Sequence, residues 1–479
     1  MNAPDEKRTA EECSHLTGNV NDDVEAADNM LLDADIGPRS MDMGAVTSLK
    51  IPTSFRPFLP FCVYITLSSA GPTMVNTIIP DQTEKYYGSY SEASFYNGLF
   101  QSVAAVFGLF LGGVFGRASD VFGRKIVLLI SAFVSAFPYA FQCIFEEHNP
   151  WPFLITRNLC IAMGATQVGN VSIGFMVAAD LFNEGERLAP LILYVTMIFV
   201  GLVFAPLPGV IGLSMWQTSV MGSVITLSAL IHVWMFFDET LPPARRSVMR
   251  WKDLENPLTP LRFVCRSALL LTFVAIDFSQ FFPFYATSAI MLFYLTDRIH
   301  DFTHTDNGTV MMILAFASIL NIVVVMPVLM KFLRPITIVY IGFVCLMLQN
   351  VAYMLATTKV VAFAIIGPLS GMGFVAMPLL TQMISVAVPS NEQGVTFGTL
   401  GAVKGLSIVL GPIVGAGAFS VGRYHLNFIE LPFAINLIIA AGGLTVALVF
   451  LRPLLNEAEA RTAQKNVWPA GGDSDRVAK

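Results

Sequence analysis

Apolar positions in this chain gather in long unbroken runs, without the period-two alternation of exposed strands or the one-sided stripe of soluble helices. Runs of roughly 20 residues, the length that crosses about 30 Å of hydrocarbon, fall near 56–79, 95–116, 126–145, 152–180, 188–213, 217–237, 267–295, 308–330, 336–356, 360–388, 395–420 and 431–451. That makes about twelve. The fourth, seventh and tenth exceed one crossing, so they include tilted or interfacial turns. In lipid every backbone N–H and C=O must be satisfied within its own segment, which selects helices for such runs. The pattern predicts an all-α polytopic membrane protein of twelve transmembrane helices.

Composition agrees: 54% of the 479 residues are hydrophobic and 13% charged, with a mean hydropathy of +0.64. The formal charge of -6 is concentrated in one place. Residues 1–50 hold eleven acids against four bases, a net of -7, so the remaining chain carries +1. Residues 1–52 read as a disordered acidic tail, poor in aromatics and without helical periodicity. They show no basic stretch leading into an apolar core, so the first span is expected to act as an uncleaved signal anchor. Residues 240–266 form a basic linker between bundles at 53–239 and 267–452, and 453–479 form a second tail.

Thirteen bases fall in the loops on one side of the twelve runs, Arg117 and Lys125 among them, against Lys85, Arg298, Lys359 and Arg423 on the other. The positive-inside rule then places both termini in the cytoplasm. The sequon Asn307-Gly308-Thr309 falls in a loop on the opposite side, where glycosylation is expected at Asn307. Asp28-Asn29-Met30-Leu31-Leu32 matches an acidic dileucine sorting signal, which leaves plasma and endolysosomal membranes both open. Six scattered cysteines show no disulfide or zinc spacing. His300 and His304 read as a solvated loop, because a metal needs more fixed ligands than an i,i+4 pair. No metal, cofactor or nucleic-acid signal rises from the sequence, and nothing supports an enzyme.

Two stretches repeat. The fifth run contains GLVFAPLPG (Gly201, Pro206, Gly209) and the eleventh SIVLGPIVG (Gly411, Pro412, Gly415), with their prolines 206 residues apart. Small residues let helices approach closely, and a membrane proline frees a carbonyl and permits a kink. The same device at matching places marks two six-helix repeats and candidate hinges. A static packing seam is the alternative.

GRASDVFGRK, Gly116 to Lys125, sets a charged, glycine-punctuated hairpin between the second and third runs. On Gly116, Asp120, Gly123, Arg124 and Lys125 the sequence resembles the major facilitator superfamily, whose loop between helices 2 and 3 reads G-x-x-x-D-[R/K]-x-G-R-[R/K]; Val121 departs from it. YNGLFQ (Tyr96–Gln101), DETLPP (Asp238–Pro243) and NEQGVTFGTLGAVKGL (Asn391–Leu406) resemble the hippocampus-abundant-transcript branch, itself similar to tetracycline-resistance antiporters. The resemblance implies a small organic solute moved by alternating access, in a monomer. It also implies a cytoplasmic latch: Asp120 against the start of helix 11 near Gly394–Thr396, and Arg124 paired with Asp180, with Glu184, Glu186 and Arg187 nearby. A plain positive-inside loop is the alternative.

An ionisable group inside a span costs about 2.5–3.5 kcal/mol on insertion scales and asks for a reason. Counting about 1.5 Å per residue, Asp277 on the seventh run and Lys404 on the eleventh both reach the midplane. Two readings stay open, a proton-coupling site and a structural ion pair. Arg157, Asn170, Gln280 and Gln382 are further solute-binding candidates, with interhelical hydrogen bonding as the alternative. TMVNTIIP (Thr73–Pro80) resembles the end of helix 1 in drug–proton antiporters, but Gly71 stands where an acid is usual. That absence favours a facilitative uniporter as the second transport reading. A non-transporting sensor or trafficking partner on the same fold is the third.

Overall fold

The computed structural model describes residues 55–145, 151–162, 167–182, 188–243, 246, 268–373, 379–380, 383, 393–451 and 453. Each of the twelve expected runs coincides with helix over its described residues, the tenth only in part. In the first half these are Leu59–Asn76, Tyr90–Phe122, Arg124–Phe145, Trp151–Ala162 with Gln167–Leu181, Leu188–Val203 with Leu207–Val210, and Met215–Phe236. The second half holds Ala268–Arg298, then His304–Leu320 running on to Phe332, and Pro335–Met354. Lys359–Gly373, Gln393–Val421 and Leu431–Val446 complete it. We number these spans 1 to 12. Among the described residues eight helices are long and apolar enough to cross a membrane.

Polar residues set the boundaries. Ser89 accepts the N–H of Ser91 (3.2 Å) and opens span 2. Ser214 with Gln217 and Thr303 with Asp306 form reciprocal capping boxes that start spans 6 and 8, each satisfying donors that a helix start leaves free. Gly88, at φ +73°, closes the short helix Ile79–Tyr87 between spans 1 and 2.

Three cores organise the body. Phe58, Phe61, Tyr194 and Phe237 pack within the first half, at the end that carries Gly123. Phe273, Ile276, Phe343 and Leu380 pack within the second half at the same end. At the opposite end one core draws on both halves, with Val75, Ile78 and Ala93 meeting Ile290, Tyr294, Phe302 and Phe419. Phe199 on span 5 also packs with Leu314 and Ala315 on span 8. Among the described residues, then, the halves share a core at one end and keep separate cores at the other.

The hairpin expected over Gly116–Lys125 is not a loop. Helix runs to Phe122 and resumes at Arg124, leaving Gly123 as the whole turn. Gly123 sits at φ +101°, in the left-handed region open mainly to glycine.

Candidate functional site

At the Gly123 end a buried guanidinium ties four segments together. Arg124 Nε donates to Asp180 Oδ2 on span 4 (3.0 Å), and Nη1 donates to Asp120 Oδ1 and Ser119 Oγ on span 2 (both 2.6 Å). Asp180 also accepts from Thr240 Oγ1 (3.2 Å), just beyond span 6. Two carboxylates thus compensate a charge that would be costly to bury alone. Glu239 adds a second layer: it accepts the backbone N–H of Arg124 (2.8 Å) and of Lys125 (3.3 Å). Its carboxylate therefore lies on the N-terminus of span 3, where free N–H groups and the helix dipole favour negative charge. Arg246 Nη2 approaches the same carboxylate at 3.7 Å. A methyl on Gly123 would lie 2.7 Å from Glu239 Cδ.

These groups belong to the first half, apart from Thr240 and Arg246 at the start of the linker. Asp120 is held by Arg124; the Gly394–Thr396 side chains of span 11 lie outside the described residues, as does Arg187. Gly116 is helical, and its surroundings are not described. Glu239 carries no role in the sequence reading, although it stands in the DETLPP stretch quoted there; an acid directly after a span end is the available signal.

The repeated proline stretches meet the other half at matching points. A methyl on Gly308 of span 8 would lie 2.5 Å from Pro206 Cα, and one on Gly98 of span 2 would lie 2.7 Å from the Pro412 carbonyl oxygen. Both glycines follow an asparagine, Asn97-Gly98 and Asn307-Gly308, 210 residues apart. This second internal repeat is masked in the sequence because Asn307 also opens a sequon. The stretches differ in form. The chain turns at Phe204–Pro206 after span 5, whereas span 11 stays helical through Pro412. Gly201 approaches span 1 at Ser69 and Gly209 approaches Thr305. Gly411 and Gly415 approach span 7 at Tyr285 and Ala286. Each proline stretch thus packs on one span of its own half and one of the other.

Inside the second half, Asp277 is buried with Oδ2 lacking any hydrogen-bond partner. Lys404 Nζ rests 4.6 Å from the centre of the Phe281 ring. Among the described residues no nitrogen–oxygen approach within 4.0 Å joins Lys404 to Asp277, so the direct ion pair expected as one reading does not form. Gln280 Nε2 donates to the Gly373 carbonyl of span 10 (3.2 Å), and its Oε1 is left unpaired.

The family model described as Major Facilitator Superfamily matches residues 61–412. The chain belongs to that superfamily. It is 23% identical to the human Hippocampus abundant transcript 1 protein over 70% of this chain and 68% of the relative. It is also 23% identical to the class D tetracycline resistance protein of Salmonella ordonez, over 76% and 90%. Among solved structures, the human organic anion transporter MFSD10 (TETRAN) superposes with a TM-score of 0.62 at 19% identity, covering 83% of this chain and all of that one. A mutant form of the nucleoside transporter NupG also reaches 0.62, at 13% identity, with 83% and 99% covered. These likenesses give the fold: the twelve-helix arrangement of a major facilitator.

Within that fold the remaining candidates fall out as follows. Arg157 Nη1 donates to Asn97 Oδ1 (3.1 Å), joining span 4 to span 2. Gln382 lies outside the described residues, and the side chain of Asn170 is not described. His232 Nε2 lies 3.0 Å from the Pro60 carbonyl, the arrangement of a packing histidine. His300 is exposed beside Asp301, while His304 reaches Asp81 across the halves at 3.8 Å. Tyr424 OH and Ser89 Oγ, 3.1 Å apart, also bridge them at that end. Among the described residues no cluster of three His, Cys, Asp or Glu side chains could hold a metal. Asn307 corrects an expectation. The Thr303–Asp306 capping box starts span 8 at His304, which puts Asn307 in the first helical turn, fully buried, with Nδ2 donating to Thr296 Oγ1 (2.9 Å). In the folded chain that buried, hydrogen-bonded amide has no room for a glycan.

Proposed function

We propose that this chain is a secondary transporter that moves a small organic solute by alternating access, with proton coupling through Asp277 and both termini in the cytoplasm. One observation carries the reading: among the described residues the halves share a core at the end bearing Ser89 and Tyr424, meet again where Phe199 packs on Leu314, and have separate cores at the end bearing Arg124. Two rigid bundles that touch through repeat-related contacts at Pro206–Gly308 and Gly98–Pro412 can rock, opening one end as the other closes. Arg124, Asp180 and Glu239 form the platform of a latch, and Asp120, anchored on Arg124, is its outward-facing acid. Its side chain keeps 40% of its surface exposed, so it can reach span 11 when that end closes. Gly201, Pro206, Gly209, Gly411, Pro412 and Gly415 act as the pivots.

Facilitated diffusion is the second reading, and Gly71 favours it. A methyl there would lie 2.8 Å from the Gly222 carbonyl on span 6, so no carboxylate fits where drug–proton antiporters carry one. The test is solute flux with lumenal pH recording in proteoliposomes, across organic cations, tetracycline-like drugs, sugars and organic acids. Flux with a proton signal that Asp277→Asn abolishes supports coupling. Flux indifferent to pH and to Asp277→Asn leaves a uniporter, and no flux for any of these classes favours the non-transporting sensor reading with the solute still open.

A further inference from the structure

The polar group between spans 7, 10 and 11 carries more than a coupling role. Asp277 Oδ2 and Gln280 Oε1 are two buried acceptors without partners, one helical turn apart on the same face of span 7. The Gln280 amide cannot be turned to relieve this, because Nε2 donates to the Gly373 carbonyl, which only accepts. Opposite them Lys404 has an aromatic ring for company and no carboxylate within ion-pair range among the described residues. Among the described residues Gly401, one turn before Lys404, is exposed and has no atom within 4 Å of where a Cβ would stand, and Gly373 has only Gln349 Oε1, at 3.7 Å. Buried acceptors normally find partners. Two buried acceptors without partners, near a half-buried ammonium that touches no described carboxylate, describe a site lacking its occupant.

We propose that Asp277, Gln280 and Lys404 bind a zwitterionic solute, its ammonium donating to Asp277 Oδ2 and Gln280 Oε1 and its anionic group accepting from Lys404. Charge logic narrows the class. A simple cation meets the Lys404 ammonium unshielded, and a simple anion meets the Asp277 carboxylate. A neutral solute gives neither the Asp277 carboxylate nor the Lys404 ammonium a charged group in direct contact. Only a molecule carrying both signs answers both walls at once. The proposal takes from the transport reading only the route by which the solute arrives.

The test uses the full-length purified chain in detergent and the twenty common amino acids as probes, read as the thermal-unfolding midpoint over a concentration series. For the strongest binder, the decarboxylated amine and the deaminated acid are compared with it (2-phenylethylamine and 3-phenylpropionate in the case of phenylalanine). Each truncated analogue loses a charge-assisted hydrogen bond and is expected to bind about tenfold or more weakly. Lys404→Gln should weaken the amino acid and, by removing a like charge, strengthen the amine, so that the two converge. The wild-type comparison stands even if a variant misfolds. Binding by no amino acid, or equal binding by the bare acid or the bare amine, overturns the proposal. Zwitterion binding without flux in proteoliposomes would keep the site and remove transport; flux without charge-selective binding would do the reverse.

Discussion

Asp180→Ala and Asp120→Ala separate burial from bond length as the source of strength around Arg124. The Arg124–Asp120 contact is the shorter, 2.6 Å against 3.0 Å, so distance alone ranks it first. Exposure ranks the pair the other way: the Asp120 side chain is 40% exposed and the Asp180 side chain 17%. An ion pair open to solvent is screened and contributes less than ~1 kcal/mol. Removing Asp180 takes away a partner of a buried guanidinium and of Thr240, and hydrogen bonds to charged groups contribute about 1.5–3 kcal/mol each. Because Arg124 keeps Asp120 and Ser119, we expect Asp180→Ala to cost about 2 kcal/mol and Asp120→Ala less than half of that. In a detergent-solubilised chain monitored by tryptophan fluorescence, Asp180→Ala should lower the unfolding midpoint by on the order of 4 °C. Equal losses, or a larger loss in Asp120→Ala, would refute the argument from burial.

Substitutions at three glycines and at Asn307 test the same geometry. Gly123→Ala combines a left-handed backbone with a clash against Glu239 and should cost about 1–3 kcal/mol in the same unfolding assay. Gly308→Ala forces span 8 off Pro206 and should destabilise by a similar amount, whereas Gly401→Ala, facing open space, should be neutral or stabilising by about 0.5–1 kcal/mol through helix propensity. The chain expressed in a glycosylating host should keep its gel mobility after endoglycosidase as far as Asn307 is concerned. The Asn307→Gln variant should migrate with the wild type while unfolding more easily, through loss of the Thr296 bond.

The twelve spans were legible because lipid imposes a uniform apolar demand over a fixed length, and no tertiary contact need be known to see it. The pairing of Arg124 with Asp180 was legible only through the resemblance of the loop to the major facilitator pattern. Glu239 was not: its contact depends on how the chain leaves span 6 and returns to the start of span 3, which no local pattern encodes. The GRASDVFGRK stretch misled because charge reads as loop, although a helix protruding beyond the lipid tolerates charge freely. Residue counting gave the depth of Asp277 and Lys404, but depth carries no azimuth, so the missing ion pair stayed hidden. The Asn-Gly repeat was visible in the letters. Its meaning lay in the close approach to the prolines, which only packing reveals.

Alternation of the two ends is the central claim, and it can be tested without knowing the solute. Tyr86 and His300 are exposed at the shared-core end, one in each half, and accept spin labels without disturbing either core. Electron–electron distance measurement between them, in lipid, is predicted to show a short population and a longer one, with Gly308→Ala raising the longer. A single distance, unchanged by the Gly308 substitution, would contradict alternating access.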